Sequence, residues 1–304
     1  MLKRTDSLKN FSNIVNNYQR KKQKSKTINN ISISPKFNHC EYLEQNPDFC
    51  DYMEDYILSI NHFDQEKFCH LFCVFDGHNG NTTAKLCVNK FPKIFSNCLK
   101  ENPYNYELAI KNSFDIMDKE IEKKNVIEVG NTGTIVFINN NLLYCANIGD
   151  SNCCLIGKKN EFITTEDKCT DDKEKIRIEK LGGQIIDDRL DGKLAITRSF
   201  GDYDLKNKGL ICEPHITKKF IDNSLNYCIL ASDGVWDSLN LDDISKITFE
   251  NENNFDNMAK VITQKAMQRG SEDNISCIVV DLKKKKKKKI RTINNKNINK
   301  YKYL

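Results

Sequence analysis

The 304-residue sequence predicts an α+β fold built on antiparallel strands. Two observations carry that reading. Between Gly133 and Thr165, apolar runs of strand length follow one another across turns of a few residues. Connections that short join antiparallel neighbours. Elsewhere, longer segments repeat apolar residues at helical spacing, as Ala84, Val88, Phe91 and Phe95 do. The length suffices for a large domain with a sizeable core.

Residues 1–36 are rich in Lys, Asn and Ser and poor in large apolar residues, so a disordered extension is expected there. A short amphipathic helix around Leu8 to Tyr18 is the only element it offers. The domain is expected over 37–282. Tyr52 to Leu58 reads as a strand with its acids early. Leu71 to Phe75 is a continuous apolar run, fit for a strand (70–75) buried on both faces. It stops abruptly at Asp76-Gly77-His78. A helix then starts with Thr82 or Thr83 as cap. A second, Glu107 to Glu122, should turn Leu108, Phe114 and Met117 inward.

Thr134–Ile138, Leu142–Asn147, Cys153–Ile156 and Phe162–Thr164 read as strands. They are separated by turns at Asn139–Asn141, Gly149-Asp150-Ser151 and Gly157–Asn160. Glu174 to Leu181 is a helix closed by Gly182-Gly183. A strand at Leu225–Ala231, a helix at Met258–Gln268 and a strand at Ile275–Leu282 complete the domain. Ala259, Ile262, Ala266 and Met267 supply that last helix with its apolar positions. Seven consecutive lysines then open the 283–304 tail.

Charge divides the chain. Residues 1–36 carry nine Lys/Arg and one Asp, and 282–304 carry eleven Lys/Arg and no acid. Against an overall +5, this leaves residues 37–281 at −14. An acidic body argues against nucleic acid as its main ligand and favours cations. The thirteen cysteines are scattered and form no CxxC pair, so reduced thiols in a cytoplasmic or nuclear protein are expected. The N-terminus has no apolar signal region, and no run is long enough for a membrane helix.

Glu54, Asp55, Asp76, Asp150, Asp233, Asp237 and Asp273 lie mostly at strand edges or in the turns beyond them. Converging strand ends would gather them. Carboxylates so gathered stay ionised only if cations neutralise them, and oxygen ligands suit Mg²⁺ or Mn²⁺ rather than zinc. Two such ions about 3.5–4 Å apart can activate a bridging water and clamp a phosphoryl oxygen. Spacing alone leaves open the alternative of seven ordinary surface acids.

The order and surroundings of these residues resemble the metal-dependent protein serine/threonine phosphatases, the PPM or type 2C family. Met53-Glu54-Asp55 is similar to the first acidic motif, and Phe75-Asp76-Gly77-His78 to FDGHG. Ala146 to Ser151 resembles ANxGDS, Gly192 to Asp202 resembles GxLAxSRxxGD, and Glu213-Pro214 the EP dipeptide. Ala231 to Asp237 matches ASDGxWD, and Gly270 to Asn274 matches GSxDN. The resemblance spans about residues 40–282, in order.

It implies two stacked antiparallel β-sheets flanked by α-helices, with metals in the cleft between sheet ends. It also implies roles. Asp76 would bridge two Mg²⁺ or Mn²⁺ ions, with the Gly77 carbonyl and Glu54 on one and Asp233 and Asp273 on the other. Asp55 would orient water. Asp150, Asp233 and Asp237 would form a weaker third metal site. His78 would be the general acid, and a hydroxide bridging the ions would attack phosphoserine or phosphothreonine in proteins with no phosphoenzyme. Phosphoprotein substrates and a monomer are the implied partners and state.

Three departures stand out. The family's phosphate-gripping Arg, three residues before the acidic triplet, is Cys50. Cysteine makes no bidentate contact. Losing a charged hydrogen bond of roughly 1.5–3 kcal/mol weakens the grip about 10- to 150-fold. The alternative reading is therefore a pseudophosphatase or regulatory phosphoprotein-binding module. No Gly-rich loop or Arg surrounds Cys50, which argues against a redox switch or thiol-phosphatase nucleophile and for a tolerated substitution. Asn152 replaces the Arg after GDS, and Glu166 to Cys169 replaces DHKP. His39, His62, His70, His215 and Thr197-Arg198 are expected to be structural or surface residues. The Lys-rich 283–304 segment is expected to be a solvated disordered tail, with contact to acidic partners or a targeting receptor as the alternative.

Overall fold

The computed structural model of the protein describes residues 37–65 and 68–283. The expected extension 1–36, its Leu8–Tyr18 helix, and the tail beyond Lys283 lie outside them. The described chain opens with β1 (His39–Glu44), β2 (Tyr56–Asn61), β3 (Cys69–Phe75) and the short β4 (Gly77–His78). Two long helices follow, α1 (Thr82–Glu101) and α2 (Tyr106–Glu122). Next come β5 (Gly130–Asn131), β6 (Gly133–Asn139), β7 (Leu142–Ile148), β8 (Asn152–Gly157) and β9 (Glu161–Phe162). Helix α3 (Asp172–Lys180), the pair β10 (Ile185–Ile186) and β11 (Arg189–Leu190), β12 (Phe200–Gly201) and α4 (Tyr203–Lys206) are peripheral to the main strands. The last elements are β13 (His215–Phe220), β14 (Leu225–Ala231), α5 (Asp233–Trp236), α6 (Leu241–Glu250), α7 (Met258–Gln268) and β15 (Ile275–Asp281).

The main strands form two five-stranded sheets, β1-β15-β14-β8-β9 and β13-β7-β6-β3-β2, with antiparallel pairing throughout. Period-two alternation builds the layers. Cys228, Leu230, Ile278 and Val280 of the first sheet face Phe72, Val74, Val136 and Ile138 of the second in one buried cluster. The alternate residues Ile229, Ala231, Cys277 and Val279 face outward and pack on Ile244 of α6 and Ala259, Ile262 and Ala266 of α7. On the opposite flank, α1 lays Phe91 against Phe75 and Phe95 against Phe137, and Phe114 of α2 packs edge-on against Phe91. Each buried Phe contributes roughly 1.5–3 kcal/mol of transfer free energy. The predicted helix–sheet–sheet–helix layering is the fold observed.

Local differences have local causes. The second strand begins at Tyr56, not Tyr52, so Glu54 and Asp55 precede it instead of sitting inside a ladder. Helix α1 takes Asn81 as its N-cap and has no side-chain cap. The Asn81 amide donates instead to the Met53 carbonyl, 3.3 Å away, tying the helix start to the acidic segment. Leu108 is 42 % exposed, because α2 buries the arc of Ala109, Ile110, Phe114, Met117 and Ile121 and Leu108 lies off it. Helix α3 begins at Asp172 because the Asp171 carboxylate caps Lys173 and Glu174. Strands β1 and β13, helices α4, α5 and α6 and the two-residue strands other than β9 were not expected from the sequence; β9 stands at Glu161–Phe162 where Phe162–Thr164 was expected. All thirteen cysteines are free thiols. Among the described residues no helix is long and apolar enough to cross a membrane.

Candidate active site

Strands β3, β8, β14 and β15 present their site-bearing ends at one end of the sandwich. Asp76 follows Phe75, the last residue of β3, and Asp150 lies between β7 and β8. Asp233 follows β14 at the start of α5, and Asp273 precedes β15. The segment 53–55 joins them through Asn274, whose side-chain oxygen accepts from the Glu54 amide at 2.6 Å. The Glu54 carboxylate accepts from the Gly80 amide. Gly77 lies against Glu54, so closely that a Cβ there would stand 2.8 Å from the Glu54 carbonyl oxygen. The sequence-predicted carboxylates thus share one place.

Their electrostatics are those of an incomplete charge set. Burial raises the Asp76 carboxyl well above the usual range, and the charges of Asp55, Asp233, Asp150 and Asp273 push it further. Burial does the same to Asp233, reinforced by Asp150, Asp273, Asp55 and Asp237. Burial lifts Asp55 to about 6, and the Asp273 charge pushes the same way. Burial also lifts Asp150 to about 6, with Lys168 opposing. Both oxygens of Asp55 and Oδ1 of Asp233 are buried without a hydrogen-bond partner. A buried acceptor left unpaired costs roughly 1–3 kcal/mol. Orphaned, mutually repelling carboxylate oxygens are what a hard divalent cation satisfies, so these residues fit Mg²⁺ or Mn²⁺. Asp237 is exposed, at the outer end of α5, and approaches Lys168 at 3.5 Å.

His78 lies on the adjoining three-stranded sheet β12-β5-β4. Its Nε2 faces the Asp202 carboxylate at 2.8 and 2.9 Å. Asp202 is buried, and its Oδ2 also accepts from Ser199 Oγ at 2.6 Å. Gly130, between them on β5, is obligatory. A Cβ there would fall 1.9 Å from Asp202 Oδ2 and 2.5 Å from His78 Nε2. A cavity of about 450 Å³ lined by Asn79, Glu128, Lys193, Asp202 and Asp204 opens beside this pair. Asp202 was not singled out from the sequence; its GD dipeptide ends a quoted motif, but a contact across 124 positions leaves no local signal.

Cys50 is half-buried. Its thiol lies 3.6 Å from the Glu272 carbonyl and 3.9 Å from Asp273 Oδ1. Burial and the Asp273 charge raise its pKa, which disfavours a nucleophilic thiolate.

A second acidic cluster supports the site from below. Asp167, Glu174 and His215 bring ligand atoms within 4.8 Å of one another. The Arg198 guanidinium already fills that space, 3.1 Å from Asp167 and 2.7 Å from Glu174. The Gly149 amide donates to Asp167 Oδ2 at 2.9 Å, which anchors the turn bearing Asp150. The replaced DHKP segment is therefore structural, as are His215 and Arg198.

A family model described as Protein phosphatase 2C matches residues 43–275. Among curated relatives, "Protein phosphatase 2C homolog 1" of Saccharomyces cerevisiae is 31% identical over 261 residues, covering 78% of this chain and 91% of its own. "Probable protein phosphatase 2C 52" of Oryza sativa subsp. japonica is 34% identical over 238 residues, covering 75% of this chain. The match takes in 47% of that rice protein, so the chain spans about half its length. A solved serine-threonine phosphatase 2C from Toxoplasma gondii shares the fold at TM-score 0.70 and 20% identity, over 81% of this chain and 95% of that one. The fold and the family model together define the class, protein phosphatase 2C. The chain belongs to the protein phosphatase 2C family, whose curated members here are named as protein phosphatases.

Proposed function

We propose that this chain hydrolyses phosphoserine and phosphothreonine in proteins, with two divalent cations, Mg²⁺ or Mn²⁺, in the carboxylate cradle. The observation that carries the reading is the set of buried carboxylates that raise one another's pKa, with Asp55 and Asp233 oxygens unpartnered and Lys168 the cation beside Asp150 and Asp237. When bound, the cations supply water activation and neutralise the phosphoryl oxygens. Glu54, Asp76, the Gly77 carbonyl, Asp233 and Asp273 are the proposed holders, with Asp150 and Asp237 at a weaker third position. Asp55 orients the attacking water. His78 protonates the leaving seryl or threonyl oxygen, a role its partial exposure permits (23 % for the side chain).

The test is phosphatase assay of the purified full chain on phosphoserine and phosphothreonine peptides, with Mn²⁺ or Mg²⁺ and then with chelator. Turnover that requires added metal is expected; turnover unchanged by chelator sinks the reading. Cys50 favours a second reading, a phosphoprotein-binding module, since it stands where the family has its phosphate-gripping Arg. That reading expects phosphopeptide binding with no turnover under any metal.

We further propose that 37–282 is the phosphatase domain and that the basic segments on either side serve location in cytoplasm or nucleus. A fluorescently tagged chain lacking 283–304 should then lose its distribution in cells; an unchanged pattern removes that role for the tail.

A further inference from the structure

We propose that Asp202 is a positioning residue for His78: it holds the imidazole with Nε2–H toward the carboxylate, so that Nδ1 is the nitrogen that serves the leaving group. The inference rests on the general-acid reading above and deepens it.

Three observations carry it. The Nε2 contacts are 2.9 and 2.8 Å to the two Asp202 oxygens, and an ionised carboxylate only accepts, so Nε2 bears the hydrogen. Ser199 Oγ donates to the same carboxylate at 2.6 Å, which fixes its plane and uses another of its lone pairs. The backbone is committed to the arrangement as well. Strand register sets His78 opposite Gly130 and Gly130 opposite Gly201, one residue before Asp202. Any side chain at Gly130 would overlap both partners. Asp202 itself takes φ +49°, a left-handed conformation that Asp adopts more readily than most residues.

The chemistry follows from which nitrogen is free. With Nε2 held, the proton given to the leaving oxygen departs from Nδ1. The P–O bond breaks with its electron pair going to the seryl or threonyl oxygen, which takes the Nδ1 proton. The attacking hydroxide forms the new P–O bond. His78 is left as the neutral Nε2–H tautomer beside the Asp202 carboxylate. It regains a proton at Nδ1 from the next water, whose hydroxide is the next nucleophile. Asp202 touches neither substrate nor the reacting atoms; it acts through the ring.

Leaving-group dependence separates this role from general damage. A phosphoserine alkoxide needs the proton, whereas the p-nitrophenolate of p-nitrophenyl phosphate departs without it. Asp202→Asn keeps the shape and tolerates the same backbone angle. General acids contribute about 10²–10⁴-fold, so D202N should lower phosphoserine-peptide turnover by at least about tenfold while p-nitrophenyl phosphate turnover changes less than about threefold. His78→Gln run in parallel should show the same selectivity, more strongly. If H78Q is selective and D202N lowers both substrates equally, or neither, the positioning role is overturned and the general-acid reading stands. If H78Q is not selective, the general-acid reading fails and takes this one with it.

Discussion

Two clusters of buried acids lie close together in this protein and are neutralised in opposite ways. In one, Glu174 receives Arg198 at 2.7 Å and Arg177 at 2.6 Å. Burial alone would raise its pKa, but the bonds from Arg198, Arg177 and Thr197 hold it down to about 2. In the other, Asp76 and Asp233 are pushed well above the usual range by burial and by one another. The first cluster carries its counter-charge in the chain; in the second, Lys168 reaches Asp150 and Asp237 at its edge, while Asp76 and Asp233 are left to charge from outside. Structure-holding acids and cation-holding acids are thus told apart by what sits between them, not by how many they are.

The largest expected effect breaks the second cluster. Asp233→Asn should lower metal-dependent turnover by at least about 10²–10³-fold, the scale of losing a major electrostatic stabiliser. In chelator the same variant should unfold at an equal or higher temperature than the parent, because one repelling charge is gone. A lower melting temperature in chelator would show that the cradle is not under repulsion. Arg198→Met breaks the first cluster instead. Stranding Glu174 and Asp167 should cost about 3–5 kcal/mol, read by urea unfolding with and without metal.

pH sharpens the contrast because Glu174 and the cradle carboxyls are shifted in opposite directions. The Glu174 pKa lies at about 2 folded against 4.5 ordinarily, so its stabilisation is complete above 4.5 and fades as pH falls toward 2. Asp55 and Asp150 move from 3.8 to about 6, so the folded state holds their protons more tightly. Their contribution is present below 3.8 and lost as pH rises through 6. The loss is on the order of 3 kcal/mol per carboxyl. Chelated protein should therefore be more stable near pH 5 than near pH 7.5, and Mn²⁺ should close most of that gap. A flat profile between those values would contradict the assignment. The smallest effect concerns Cys50→Arg. A restored guanidinium should lower KM for phosphopeptide by about tenfold, the low end of a charged hydrogen bond. No change in KM would mean that phosphate is gripped elsewhere.

Most of the main strands and the whole carboxylate set were legible in the sequence because each signal is local. Leu71 to Phe75 ends at Asp76, and Leu225 to Ala231 ends two residues before Asp233, so runs and turns stand next to each other. What escaped reading is what long-range pairing makes. Strand β13, His-Ile-Thr-Lys-Lys-Phe, is an edge strand whose lysines give it no apolar signature. The β4, β5 and β12 strands are two residues each and exist only because they pair with one another. Asp202 is invisible for the same reason. Helix α6 is the exception, since its Asn240/Asp243 capping box was written in the sequence and could have been found.

Strand β1 pairs along β15, His39 opposite Val280, and the Asp281 amide donates to the Asn38 carbonyl at 2.8 Å. The domain is therefore almost a closed ring, whose entry and exit are neighbours. They lie at the far end of β15 from Asp273, about 20 Å along a seven-residue strand. A short peptide joining Leu282 to Phe37, both of which pack in the inter-sheet core, should permit a circular permutant opened at an exposed loop. Any tag or partner fused at either terminus of the domain is delivered to one spot, remote from the cleft.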